Sequence, residues 1–374
     1  MNKCRLCRAN KLTELLNCGR QPVCSRFLMN SSGEESLHPM IIGFCEECGL
    51  IQIMKTLPAD KLIAPYDWIT YNEPERHLDQ MVDIICSLPD IDKESKICGV
   101  SFKDRSILSR LKEREFNRVW QIEANDLDIR DSRAGIETIQ ARFIPEVIYK
   151  IIQRYGKMDI VIARHIFEHT HNPVNFMENI RKLLNPEGYI VLEVPDCKNA
   201  LERYDYSILW EEHILYFTPN TFKNSFSFGK FSLNRFECYP YAIEDSLVGI
   251  AKVDESITAP HFPSKNILNI EKKLANSYSE NMEKQGKGLR KFLLEYNQTK
   301  GKIAILGAGH IACFFINVFG LKDYIEFVVD DDPNKNGLYM PGSKLPIYNS
   351  KSLTEKNIKF CLLTINPNNE DKVI

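Results

Sequence analysis

The segment "SKICGVSFKDRSILSRL", residues 95–111, has the pattern of a buried strand, a turn and the start of a helix. In Rossmann-like α/β folds a ligand lies against this turn, because backbone N–H groups of the turn and of the helix N-terminus point towards it. The turn usually carries glycines, which let the backbone approach the ligand. Here residues 101–105 read Ser-Phe-Lys-Asp-Arg. The segment therefore predicts a Rossmann-like sheet and raises the question of whether its turn still binds a cofactor.

Strands and helices continue to alternate after this segment. The pattern predicts three further strands, "RVWQIEAN" (118–125), "MDIVIARH" (158–165) and "YIVLEVPD" (189–196). It also predicts a helix within "NPVNFMENIRKLLNPEG" (172–188), which ends with a Pro-Glu-Gly stop. This alternation is typical of a mostly parallel sheet whose site lies at the carboxyl ends of the strands.

An acidic residue lies at the end of the second predicted strand. Glu123 follows the first turn by about twenty residues, which is the position from which a carboxylate can bind the hydroxyls of a ribose. The alternative is a solvated carboxylate at a strand end. The spacing favours a role in binding a nucleoside.

Two histidine-containing segments, "ARHIFEHTHNP" and "LWEEHILYFTP", follow strands and are expected to face the same crevice. A single histidine is more often structural than catalytic, but two segments that converge on one crevice favour His213 and His169 as functional residues. Glu211 and Glu212 precede His213 directly. One of these carboxylates could orient the imidazole and raise its basicity.

Two Cys-x-x-Cys pairs lie near the N-terminus: Cys4 with Cys7, and Cys45 with Cys48. Each pair can place two thiolates on one tetrahedral ion, and four thiolates complete a closed zinc site. A closed site leaves no open coordination position, so the zinc is expected to be structural. The alternative is a chance arrangement in a chain with 12 cysteines.

Length and charge limit the class of protein. A chain of 374 residues is expected to form two or three domains. Its net charge of −2 argues against a zinc-dependent nucleic-acid-binding protein, and no membrane partner is expected because no run of about 18 apolar residues occurs. The N-terminus lacks the apolar core of a signal peptide, so a cytoplasmic location is expected.

The C-terminal third has a second strand-turn-helix pattern. Helical spacing within the polar segment 258–300 predicts one long bridging helix. "KIAILGAGHIACFFINVFG" then places Gly307 and Gly309 between a strand and a helix, and Asp330 ends the next strand. The glycines either bind part of a nucleotide or form a packing turn without a ligand.

Taken together, these motifs resemble the three-domain sugar C-methyltransferases of deoxysugar pathways. That family has an N-terminal zinc module, a central S-adenosylmethionine-dependent domain and a C-terminal Rossmann-like domain. The resemblance rests on six segments in the same order: the "CRLC" and "CEEC" pairs, "PYDWITYNEPERH", "RHIFEHTHNPVNF", "VLEVPD", "WEEHILYFTP" and "VVDDDPNKNGLYMPGSKLPI".

The resemblance implies an α/β fold in which a small zinc module is followed by a Rossmann-like methyltransferase sheet and a second, shorter Rossmann-like domain. The expected boundaries are as follows: zinc module 1–60, methyltransferase-like domain 61–255, helical linker 256–300 and C-terminal domain 301–374. The chain ends at "CLLTINPNNEDKVI", where such a domain would normally continue, so this domain is expected to be shorter than in the family, either natively or by truncation.

The resemblance also implies a reaction. A base removes the hydrogen next to the ketone of a nucleotide-linked 4-keto sugar, and the enolate carbon attacks the methyl group of S-adenosylmethionine in line. His213 would be the base or the enolate donor, Glu212 would support it, and His169 would contact the sugar. Tyr66 or Tyr71 would cover the cofactor pocket.

The remaining site residues follow from the same resemblance. The cofactor-binding residues are expected to be these five: Ser101, Asp104, Glu123, Arg164 and His165. The nucleotide of the sugar is expected to contact Gly307, Gly309 and Asp330. The oligomeric state stays open.

The chain departs from the family in two places. The family's first loop reads "EIGxxDG", and Ser101 and Arg105 replace its two glycines, whereas Asp104 matches. A side chain at position 101 is expected to crowd the methionine part of the cofactor. Trp210 replaces the tyrosine that precedes the Glu-His pair. The alternative function is therefore a non-methylating member that binds a nucleotide sugar.

Overall fold

The computed structural model describes residues 3–69, 73–131 and 133–372. Its N-terminal part forms an antiparallel sheet followed by two helices. The elements are β1 (Leu12–Gln21), β2 (His38–Cys45), β3 (Ile51–Ile53), α1 (Ala59–Leu62) and α2 (Leu78–Cys86). β2 lies between β1 and β3.

The central part is a six-stranded sheet with helices on both faces. Its first strands and helices are β4 (Lys96–Gly99), α3 (Arg105–Glu113), β5 (Arg118–Gln121), α4 (Ile136–Arg142), α5 (Pro145–Tyr155), β6 (Met158–Arg164), α6 (Pro173–Leu183) and β7 (Leu184–Asp196). The remaining elements are α7 (Lys198–Arg203), β8 (Leu215–Tyr216), α8 (Pro219–Phe228), β9 (Phe231–Tyr239) and β10 (Asp245–Val253).

The strand order of this sheet is β5-β4-β6-β7-β10-β9. The first four strands are parallel, and β10 and β9 are antiparallel to their neighbours. The carboxyl ends of β4, β5, β6 and β7 therefore share one edge. This confirms the α/β fold with a mostly parallel sheet.

The helix predicted within 172–188, ahead of the Pro-Glu-Gly stop at 186–188, is present as α6. α6 ends at Leu183, because Leu184 is already extended (φ −80°, ψ 149°) and pairs with Met158. Pro186 cannot continue a helix, and it lies in the first residues of β7.

The C-terminal part contains the predicted long helix and a four-stranded parallel sheet. The elements are α9 (Lys265–Thr299), β11 (Ile303–Leu306), α10 (His310–Phe319), β12 (Phe327–Val329), β13 (Ile347–Tyr348), α11 (Lys351–Glu355) and β14 (Phe360–Leu363). The strand order is β13-β12-β11-β14, as a Rossmann-like unit requires.

Strand β8 joins the N-terminal sheet instead of the central one. It pairs with β3, and the N–H of Ile53 also donates to the carbonyl of Ile214 at 2.9 Å. The residues before β8 are therefore positioned by both the N-terminal and the central parts. Among the described helices, none has the length and apolarity that crossing a membrane requires.

Candidate active site

The two Cys-x-x-Cys pairs come together at the N-terminal sheet. The Sγ atoms of Cys4 and Cys48 are 3.6 Å apart, those of Cys7 and Cys45 are 3.5 Å apart, and all four sulfur atoms lie within 4.8 Å of one another. Tetrahedral zinc with thiolate ligands separates its sulfur atoms by about 3.8 Å. The amide of Gln52 donates to Cys4 Sγ at 3.2 Å. The donor set and its geometry therefore fit a structural zinc ion.

This cysteine cluster contacts the loop that follows β6. Arg5, within the first Cys-x-x-Cys turn, donates from Nη1 to the carbonyl of His171 at 2.9 Å. Arg8 contacts the side chain of Asn172. The loop also carries His169, so the cysteine cluster helps to position a predicted site residue.

A cleft of about 580 Å³ opens at the carboxyl edge of the central sheet. Glu123, beyond β5, lines one end of it, and His169, Glu212 and His213 line another part. Ser25 reaches the same cleft from the N-terminal part. The structure thus brings the expected nucleoside-binding carboxylate and the expected catalytic side chains to one cavity.

The first loop holds its shape through Asp104. One carboxylate oxygen accepts the N–H of Ser101 at 2.8 Å, and the other accepts the N–H of Arg164 at 2.9 Å. A Cβ atom at Gly99 would lie 2.6 Å from the Cβ of Asp104, so that position needs glycine. Ser101 is fully buried and its Oγ accepts the N–H of Lys103 at 3.2 Å. Neither Ser101 nor Asp104 lines the cleft.

Arg164 and His165 belong to a buried charge network centred on Glu193. Arg164 donates from Nε to Glu193 at 2.5 Å and from Nη1 to the carbonyl of Lys103 at 2.8 Å. His165 Nε2 lies 3.0 Å from the same carboxylate. Burial opposes the positive charge of His165, but Glu73 and Glu193 outweigh it and raise its pKa to about 10. Neither of these two predicted cofactor ligands lines the cleft. Arg164 instead contacts the first loop through its hydrogen bond to the carbonyl of Lys103.

His169 lies between two buried carboxylates. Its Nδ1 is 2.8 Å from Oε1 of Glu137, and a carboxylate oxygen of Glu212 lies within 4.8 Å of both groups. Burial opposes the charge of His169, but Glu137 outweighs it, so the pKa of His169 is raised. Burial and repulsion by Glu137 raise the pKa of Glu212 well above its usual range.

The ring of His213 packs against that of His169, and both residues line the cleft. The two rings are perpendicular, with centroids 4.8 Å apart. Burial and the positive charges of neighbouring groups, His169 first among them, lower the pKa of His213 well below its usual range. These directions favour a neutral His213 beside a protonated Glu212 and a cationic His169, and such a difference between neighbouring groups separates a proton acceptor from hydrogen-bond donors.

Trp210 connects these histidines to the C-terminal part. Its ring stacks on His310, at the start of α10, with centroids 4.6 Å apart and planes at 20°. The same ring lies 4.9 Å from that of His213. Glu211 turns away from His213, and its carboxylate accepts the N–H of Cys24 at 2.6 Å. Neither His310 nor Cys24 was predicted as a site residue.

The remaining predicted residues have different locations. Tyr66 lines the cleft, whereas Tyr71 lies outside the described residues. Gly307 has φ +106°, and Asp330 closes its turn by accepting the N–H of Ala308 at 3.0 Å. Gly307, Gly309 and Asp330 do not line the cleft, although α10 begins directly after Gly309.

Sequence reasoning missed Glu137, which lines the cleft. The residue follows no strand, and it is one of 50 acidic residues. Its only local signal is Gly135 two positions before it, at the N-cap of α4. Long-range packing against His169 is what brings it into the site.

Three family models match consecutive parts of the chain. They are described as a zinc binding domain (residues 4–62), a methyltransferase domain (88–227) and a C-methyltransferase C-terminal domain (266–374). A similar curated protein is C-methyltransferase NovU of Streptomyces niveus, 22% identical over 222 residues. The match covers 58% of this chain and 53% of NovU, so the chain spans about half the length of this relative.

Solved methyltransferase structures are similar to about half of this chain at low identity. One is the 1,6-didemethyltoxoflavin-N1-methyltransferase of Burkholderia thailandensis, with 12% identity and a TM-score of 0.34, covering 48% of this chain and 80% of that one. Another is the magnesium protoporphyrin IX methyltransferase of Synechocystis PCC 6803, with 9% identity and a TM-score of 0.30, covering 47% and 82%.

Proposed function

We propose that this chain, whose three parts match those of the three-domain C-methyltransferase family, transfers a methyl group from S-adenosylmethionine to a carbon of a nucleotide-linked keto sugar. The family matches confirm the resemblance seen in the sequence, and the substrate and the mechanism are our proposal. The observation that carries it is the convergence of His169, Glu212 and His213 on one cleft, and the directions of their pKa shifts support different roles for them.

The residues divide the reaction between them. S-adenosylmethionine, when bound, supplies an electrophilic methyl group on a sulfonium. His213 accepts the proton from the carbon next to the sugar ketone. Its lowered pKa keeps the imidazole neutral but also makes it a weak base, so the step depends on the donors to the ketone oxygen. His169 and Glu212 donate hydrogen bonds to the ketone oxygen as it gains negative charge. After the carbon–methyl bond has formed, the proton leaves His213 for solvent and the ketone is restored.

The cleft offers surfaces for both ligands. The nucleoside part of S-adenosylmethionine would contact Glu123 and the apolar side chains of Ile122 and Leu127, which line the same end of the cleft. Tyr66 and Trp210 would cover the reacting groups, and Tyr71 keeps the role that the resemblance gives it. We propose that a structural zinc ion is bound by four cysteines: Cys4, Cys7, Cys45 and Cys48.

The alternative is a non-methylating protein that binds a nucleotide sugar. The observation in its favour is Lys103, which lines the cleft in the first loop and forms an ion pair with Glu73. A cation there would disfavour a sulfonium nearby. This alternative predicts binding of the sugar nucleotide and no binding of the methyl donor.

The first experiment is calorimetric titration of the zinc-loaded protein with S-adenosylhomocysteine. Micromolar binding is expected, followed by methyl transfer from labelled S-adenosylmethionine to one of a panel of nucleoside-diphosphate 4-keto-6-deoxyhexoses. No binding to folded protein at millimolar ligand would overturn the proposal in favour of the alternative.

The protonation states make a sharper prediction for His213 and Glu212. The variant His213→Gln should lower kcat by about 10²–10⁴-fold while binding S-adenosylhomocysteine normally. The variant Glu212→Gln keeps a neutral donor, so it should retain more activity at pH 7 than Glu212→Ala. Wild-type activity should fall at high pH, where Glu212 ionises and His169 loses its proton, and Glu212→Gln should remove the part of that alkaline decline that Glu212 causes. A profile that Glu212→Gln leaves unchanged would exclude this role.

A further inference from the structure

The buried carboxylate of Glu137 contacts two of the groups in the proposed mechanism. We propose that Glu137 fixes the protonation states of His169 and Glu212, and so acts as a positioning residue for the reaction. The part of this inference that concerns catalysis rests on the proposed function. The protonation states themselves are measurable without turnover.

The local structure holds Glu137 against the loop that carries His169. Glu137 lies in the first turn of α4, and Gly135 precedes that turn with extended backbone (φ −94°, ψ −164°). A Cβ atom at Gly135 would lie 3.2 Å from Oε2 of Glu137, so glycine gives the carboxylate room. The side chain of Gln140 donates to the carbonyl of Glu137 at 3.0 Å and accepts the N–H of His171 at 3.2 Å. Gln140 therefore binds both the turn that carries Glu137 and the loop that carries His169.

Water is largely excluded from the three groups. The exposed fractions of Glu137, His169 and Glu212 are 6%, 6% and 6%. Interactions between charges are strong in such a site, because few solvent dipoles screen them. Four further charged groups act on these three: Lys103, Glu211, Glu73 and Glu168. Of these, Glu168 has Oε1 3.9 Å from Nε2 of His169.

These contacts favour one distribution of charge among Glu137, His169 and Glu212. Glu137 is ionised, since the contact with His169 offsets the cost of burial and keeps its pKa lowered. His169 is then an imidazolium paired with it at 2.8 Å. A second carboxylate beside Glu137 would be repelled, so Glu212 keeps its proton. Removal of the Glu137 charge should therefore lower the pKa of His169, although Glu168 and Glu73 remain, and allow Glu212 to ionise at lower pH.

A divalent cation is the competing occupant of this place. Glu137, His169 and Glu212 are all metal-ligand types, and their ligand atoms lie within 4.8 Å of one another. A bound cation would take the place of the protons on His169 and Glu212. Metal analysis separates the two explanations, because a proton-sharing group needs no ion beyond the zinc of the cysteine cluster.

The test is NMR titration of the zinc-loaded chain with ¹³C-labelled histidine, with His169→Gln used to assign the signal. Wild-type His169 should be protonated at pH 7. In Glu137→Gln its midpoint should fall by about one pH unit or more, and kcat should fall with little change in the KM for S-adenosylmethionine. Glu146→Gln is the matched control, because Glu146 occupies the first turn of the neighbouring helix α5 and is exposed. Glu137→Asp, which keeps the charge, should restore part of both readouts.

Three results would overturn the proposal. The first is a neutral wild-type His169 at pH 7, which needs no variant and so does not depend on the folding of Glu137→Gln. The second is a His169 midpoint that Glu137→Gln leaves unchanged. The third is a second metal ion per chain that Glu137→Gln releases. If the chain proves not to bind S-adenosylhomocysteine, the proposed function fails, but the titration still decides the protonation states.

Discussion

Ser101 begins the first loop of the central sheet in extended backbone, with φ −141° and ψ 172°. Residues of any type adopt this conformation, so the position does not require glycine. The Oγ atom turns inward and accepts the N–H of Lys103, while Asp104 accepts the N–H of Ser101. The serine thus stabilises the loop, and it does not line the cleft in which it was expected to crowd the cofactor. Arg105 is exposed at the edge of the cleft, where its Nε donates to Gln121 at 3.1 Å.

These positions predict different effects of restoring the family's glycines. Ser101→Gly should change the Kd for S-adenosylhomocysteine by less than about threefold, which is under 1 kcal/mol, because its side chain does not line the cleft. Arg105→Gly removes a positive charge from the cleft edge. It should therefore tighten binding of S-adenosylmethionine, whose sulfonium is cationic, relative to S-adenosylhomocysteine. Calorimetry with both ligands measures the difference.

Arg110→Gly is the control for the loss of an arginine from α3, because Arg110 lies on the same helix and does not line the cleft. A gain of tenfold or more in Ser101→Gly would mean that the serine does obstruct the cofactor, as the sequence alone suggested.

At the scale of single elements, side chains connect the turn of the first Cys-x-x-Cys pair to the loop that carries His169. Arg5 binds the carbonyl of His171 and, through its backbone N–H, the side chain of Gln52 at 2.9 Å. On the other side, the N–H of Ile214 donates to the carbonyl of Glu168 at 2.9 Å. The residue before β8 is therefore tied to the residue before His169. The zinc module supports both histidines of the cleft.

Arg5→Met tests this support, since it keeps most of the side-chain length and removes the donors to His171. We expect unfolding free energy to fall by about 1–2 kcal/mol. We also expect kcat to fall roughly tenfold to a hundredfold, because small displacements of catalytic groups are costly. Lys11→Met is the control, because Lys11 lies in the same module and pairs with Glu47 on the surface. Equal effects of the two variants on kcat would show that the contact with His171 does not position the loop.

The elements themselves were largely accessible to prediction, and their long-range partners were not. Apolar runs such as residues 158–165 are read directly as buried strands, because helices cover both faces of a parallel sheet. β8 has only two residues, and its pairing with β3 joins positions more than 150 residues apart. Nothing local encodes such a contact. Glu137 escaped prediction for the same reason, since its role depends on what packs against it.

At the scale of the whole molecule, the parts predicted from the sequence share their hydrophobic interiors. One buried cluster joins Cys4 and Leu50 of the N-terminal part to Phe167 of the central part. A second joins Leu16 of β1 to Tyr206 and to Phe319 of α10. The boundaries proposed from the sequence (1–60, 61–255, 256–300 and 301–374) therefore divide the chain by topology, whereas packing crosses them.

Shared interiors predict that zinc stabilises more than the N-terminal sheet. Calorimetric unfolding of the zinc-loaded protein should give one main transition, and removal of zinc with a chelator should move that transition to lower temperature and abolish binding of S-adenosylhomocysteine. The physical reason is that zinc binds only the folded cluster, so its binding free energy adds to the stability of everything that folds with the cluster. Cys45→Ser should reproduce the effect, whereas Cys361→Ser should not, because Cys361 lies on β14 and is in none of the metal-ligating groups found among the described residues. If chelation instead leaves the main transition in place and adds a small one below it, the N-terminal sheet folds independently and its contacts with the cleft are not needed for the stability of the rest.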